Sequence, residues 1–60
     1  MIDMKTAMEK LRADAVEAAG IRDAATDSVK RELFDRLSVH LATLATEVER
    51  AIAMRLANKE

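Results

Sequence analysis

The sequence predicts an all-α protein, a two-helix antiparallel hairpin with a short first helix and a long second one, on three observations. The chain holds no proline and a single glycine, Gly20; alanine, leucine, glutamate, lysine and arginine dominate it; and its apolar residues recur at alternating spacings of three and four. The first two favour helix over strand, because strands draw on β-branched and aromatic residues that are scarce here, Phe34 being the sole aromatic. The third puts apolar side chains on one stripe of each helix, since positions three and four apart share a face.

In the first helix the stripe is Met1, Met4, Met8, Leu11, Ala15 and Ala18. Asp3 is its natural N-cap, a carboxylate able to accept an orphan backbone N–H and to complement the helix dipole. The stripe stops at Gly20, where continuing the same repeat would put Arg22 at a core position. A left-handed Gly20 would close a Schellman ending, with Ile21 packed back on Val16. These features place the first helix over about residues 3–19 and a turn over about 20–23. A helix continuous through Gly20 stays open as the alternative, because one glycine costs only about 1 kcal/mol relative to alanine.

The second helix follows N-cap residue types at Asp23 and again at Thr26, Asp27 and Ser28, so it is expected over about residues 24–57, loosely begun near Asp23 and firm from Ser28. Val29, Leu33, Leu37, Leu41, Leu44, Val48, Ile52 and Leu56 give it a stripe that persists almost to its end. Glu32 with Arg36, and Asp27 with Arg31, have the spacing of i,i+4 ion pairs. Asn58, Lys59 and Glu60 should fray.

A partner chain is expected from the unequal lengths. At ~1.5 Å per residue the first helix is about 25 Å long and the second about 50 Å, so the first reaches only to about residues 40–44 of the second. Val48, Ile52 and Leu56 are then left without cover from their own chain. The segment from Leu37 to Thr46 also lacks Asp, Glu, Lys and Arg, and carries small residues such as Ser38, Ala42 and Ala45 off the leucine stripe, the mark of a helix buried on more than one side. An antiparallel two-fold dimer, with the long helices crossing near Leu41–Leu44, satisfies both observations as a coiled-coil-like four-helix bundle. Pairing with a different protein satisfies them equally. The expected interface is Leu33, Leu37, Leu41, Leu44, Val48, Ile52 and Leu56.

Composition narrows the function classes. Ten basic and eleven acidic residues, interspersed, give a net charge of −1, which offers no electrostatic reason for a nucleic-acid or anionic membrane partner. Cysteine is absent, which excludes disulfides, thiolate nucleophiles and cysteine-ligated metals. The longest uncharged run is ten residues, too short to span a bilayer. No secretory signal is legible at the first residues, so a cytoplasmic address is expected.

Residues with chemical potential have no local company. His40 is the sole histidine, and its neighbours one turn away, Arg36, Leu37, Thr43 and Leu44, supply neither a carboxylate nor a second imidazole. Glu47 and Glu49, two apart, point in different directions from a helix. Ser28 and Ser38 lack a neighbouring base, and one glycine cannot make a phosphate loop. No catalytic, cofactor-binding or metal site is therefore expected, and the protein is not expected to be an enzyme. The expected function is a small oligomerisation or protein–protein interaction module, acting as an adaptor, assembly factor or regulatory subunit, with a homodimer favoured. The alternative is a small dimeric DNA-binding or antitoxin-like regulator that would present Arg22, Lys30, Arg31 and Arg36 to phosphates.

Overall fold

A computed structural model describes residues 3–57 as two helices packed side by side, α1 over Met4–Ala24 and α2 over Ser28–Ala57, with no strand among the described residues. The expected all-α hairpin is observed. Met1 of the first stripe and the expected fraying of Asn58, Lys59 and Glu60 lie outside the described residues.

The turn is not where the sequence suggested. Gly20 lies inside α1, no glycine has a positive φ, and the chain reverses at Ala25, Thr26 and Asp27. Continuing the helix costs about 1 kcal/mol at Gly20, and the extra turn brings Ala25 into the buried seam and half-buries Ile21. Arg22, the apparent misfit, accommodates its core position by reaching out of it. Its guanidinium donates to Asp35 on α2 at 2.9 Å and to Asp23 at 3.0 Å. Those two carboxylates, Asp23 first, hold the guanidinium pKa above its ordinary value. The stabilisation from that shift is complete at any pH below the ordinary arginine range and fades only as strongly alkaline conditions deprotonate the group.

Local chemistry explains the ends. Ala25 N–H donates to the Arg22 carbonyl at 3.2 Å, tightening the last turn of α1. Asp27 caps α2: its carbonyl accepts from Arg31 N–H at 3.0 Å and its carboxylate from Val29 N–H at 3.2 Å. That role takes Asp27 away from the expected pair with Arg31, whose guanidinium instead donates to the Ala25 carbonyl at 2.9 Å across the turn. The Glu32–Arg36 pair forms at 3.3 Å. Asp3 occupies the N-cap position of α1 by backbone, its carbonyl accepting from Ala7 N–H at 2.9 Å, but its carboxylate takes the Thr6 hydroxyl at 3.4 Å and no backbone N–H. Asp27→Ala should cost about 1 kcal/mol of stability, measured by urea denaturation; an unchanged midpoint would show that the cap is not needed.

Gly20 gives a prediction of opposite sign. A Cβ built there meets nothing within 4 Å, and its backbone is helical. Gly20→Ala should therefore stabilise the fold by about 0.5–1 kcal/mol through lower unfolded-state entropy, visible as a raised melting temperature. A lowered one would mean that the helix does not run through this position.

The seam between the helices is built from small residues. Ala18 from α1, Ala25 just after its end, and Ser38 and Ala45 from α2 are buried, Ala45 with 0% exposure, and no large side chain among the described residues is fully buried. Ser38 is satisfied by donating its hydroxyl to the Asp35 carbonyl at 2.8 Å. Phe34, Leu41, Val48 and Ile52 flank these positions on α2 and are half-buried, as are Met4, Leu11 and Ala15 on α1. Packing is therefore close but thin. The radius of gyration, 14.4 Å, exceeds the roughly 10 Å of a compact 60-residue domain, because two parallel rods have almost no interior.

Moving the turn also corrects the expected shortfall in cover. The arms of a hairpin shift in opposite directions, so a turn displaced by about five residues moves the reach of the first helix by about ten along the second. Met4 shares a shallow hollow with Ile52, Arg55 and Leu56, and Arg12 donates to Glu49 at 2.9 Å. Val48 and Ile52 are thus half-buried within their own chain. Contrary to expectation, these two residues have cover from α1, while Leu56 stays 66% exposed.

Candidate functional site

His40 is exposed on α2, and no group of three or more His, Asp or Glu side chains is placed to hold a metal ion among the described residues. Every buried side-chain polar atom among them has a hydrogen-bond partner. Among the described residues no helix is long and apolar enough to cross a membrane. What the hairpin does present is an apolar flank.

Heptad geometry locates it. On α2 the positions turned to α1 are Phe34, Ser38, Leu41, Ala45, Val48 and Ile52, alternating by three and four. Each preceding residue lies about 100° to one side, giving Leu33, Leu37, His40, Leu44, Glu47 and Ala51 on one flank. Each following residue lies on the other flank, which carries Asp35 and Glu49, the acceptors of both interhelical ion pairs. One side of the hairpin is therefore closed by Arg12–Glu49 and Arg22–Asp35. The other carries leucines that the ion pairs leave untouched.

Exposure agrees with this division. Leu33 is 52% exposed and Leu37 38%, with Leu44 half-buried beside them. The expected interface thus separates into two sets. Leu41, Val48 and Ile52 are spent largely on α1, Leu33, Leu37 and Leu44 form the open flank, and Leu56 is 66% exposed at the far end. An apolar hollow lined by Thr6, Ala7, Lys10, Leu11 and Asp14 lies along the edge of α1 away from Arg12. Val29, 75% exposed one turn before Leu33, extends the flank toward the turn, while Val16, Val39 and Met54 are scattered and need no partner to explain them.

The position of His40 within this flank follows from the heptad, midway between Leu37 and Leu44. Its local neighbours alone did not reveal that. The small residues off the leucine stripe divide similarly. Ser38 and Ala45 make the seam, while Ala42 and Thr43 are exposed and the Thr43 and Thr46 hydroxyls donate back to the Val39 and Ala42 carbonyls at 2.9 and 3.1 Å.

No family model matches the sequence, and no curated protein or solved structure is similar to it at a significant level.

Proposed function

We propose that the chain is a small helical interaction module that works as a homodimer, its two hairpins joined into a four-helix bundle, in the service of assembly or regulation. The observation that carries this reading is the open flank of Leu33, Leu37 and Leu44 beside a seam that fully buries no large side chain. Area points the same way. The chain exposes 4867 Å², whereas a compact monomer of its mass exposes about 3900 Å². The excess of about 1000 Å² is of the size that one partner loses in a stable interface, about 800 Å².

The alternative as a DNA-binding regulator gains no comparable support. Arg22 is held by Asp23 and Asp35 and Arg31 by the Ala25 carbonyl, so two of the four cations a phosphate contact would use are engaged within the chain. Light scattering tests the proposal. At micromolar concentration the mass should be twice the 6.6 kDa of one chain, and a single-chain mass with a cooperative melt would refute it.

A further inference from the structure

We infer that the second copy docks antiparallel along the leucine flank of α2, on a two-fold axis that passes between His40 and Leu41. This rests on the dimer proposed above and specifies its face and register. The ground is a symmetry in the positions themselves. A self-complementary interface requires that if residue i meets j, then j meets i. On the open flank of α2, Leu37 and Leu44 are equidistant from the midpoint of His40 and Leu41, and Leu33 mirrors Val48, which is half-buried at the adjoining edge of the seam. Reversing the helix about that point lays apolar on apolar at both pairs and sets His40 against the partner's Leu41.

Charge fits the same register. Arg36 and Glu47 lie on the edge of the flank away from α1, and reversal about the axis brings Arg36 within about 3 Å, measured along the helix, of the partner's Glu47. On the flank itself no like charges are set opposite each other: Lys30 meets Ala51 and Arg55 meets Thr26 at the mirrored positions, and the like-charged mirror pairs, Arg31 with Arg50 and Glu32 with Glu49, each include residues turned away from the flank. A parallel pairing would instead stack Lys30, Arg36, Glu47 and Arg55 each beside its own copy, which is repulsive at every step. The flank thus favours a copy of itself in one direction.

Because the chain has no cysteine, single nitroxide labels can be placed at will. Glu32→Cys, Thr43→Cys and Arg50→Cys put them on exposed positions away from both the seam and the flank, and pulsed dipolar spectroscopy reads the distance between the two copies. The inferred axis gives separations along the helix of about 8 Å at position 43, about 26 Å at 32 and about 29 Å at 50, so position 43 must be the closest pair by a wide margin. Near-equal distances at all three sites, with a two-chain mass, overturn the register and leave the dimer standing. A one-chain mass with no dipolar coupling overturns both. His40→Leu, in the full-length chain, tests the centre of the flank separately: removing the one polar group from its middle should lower the dissociation constant about tenfold or more, and an unchanged or raised constant places His40 outside the contact.

Discussion

Replacing Leu37 by glutamate is expected to raise the dissociation constant of the proposed dimer by at least about tenfold while leaving the hairpin itself helical. The two halves of that expectation have separate causes. Within one chain Leu37 retains 38% exposure and lies off the seam, so a carboxylate there keeps access to water. Across the two-fold contact each substitution counts twice. Only the exposed two-fifths or so of Leu37 is left to bury at the contact, so its loss costs about 0.6–1.1 kcal/mol, hence about 1–2 kcal/mol for the pair, and each 1.4 kcal/mol is about tenfold in affinity. Two carboxylates facing partly desolvated surroundings add to this. Val16→Glu is the matched control, because Val16 is 73% exposed on α1 and outside the flank. A dilution series by sedimentation velocity should show the Leu37→Glu chain as a single chain where the wild-type and Val16→Glu chains remain paired. Equal behaviour of all three would remove the leucine flank from the contact.

Ala45→Phe is expected to have the largest effect on the hairpin. Ala45 has no exposed surface and sits in the seam opposite an alanine-rich face of α1 that includes Ala15 and Ala18. An aromatic ring there must push the helices apart, because the backbones meet closely at a seam of alanines. Overpacking of this kind costs about 1–3 kcal/mol or more, a large share of the stability of a 60-residue domain, which at ~0.05–0.15 kcal/mol per residue totals only about 3–9 kcal/mol. Urea denaturation followed by helical circular dichroism gives the number. Ala42→Phe, at an exposed position on the same helix, should stay within about 0.5 kcal/mol of the parent; equal losses at both sites would contradict a seam centred on Ala45.

The helical class and the α1 face were legible because composition and the three–four spacing act along the chain and need no knowledge of what lies opposite. Met4, Met8, Leu11, Ala15 and Ala18 are all buried or half-buried, as their periodicity implied. The turn was not legible, and the residues responsible are Gly20 and Arg22. A lone glycine is a weak breaker, and an arginine in a core repeat ends a helix only if no carboxylate waits across the seam. Asp35, thirteen residues later, supplies one. That is tertiary information, and no local rule carries it. The true stop was marked by Asp27, whose cap was among the candidates but no stronger in sequence than Asp23.

The same limit shaped the interface. A run of apolar residues at spacings of four and three fixes a stripe on α2, but the stripe is wide enough to face two neighbours. Only the position of α1 decides that Leu41, Val48 and Ile52 turn inward and that Leu33, Leu37 and Leu44 remain open. The proposed need for cover rests on the thin alanine seam and on surplus surface, not on an arm of α2 that overreaches α1.

The most direct test of that need is the melting temperature as a function of protein concentration. A hairpin completed by its own copy gains stability by mass action, so the melting temperature should rise by about 5 °C for each tenfold increase in concentration. A melting temperature constant from low micromolar to millimolar, with a sharp transition throughout, would show that the chain is stable alone and that its leucine flank is not buried by a second copy.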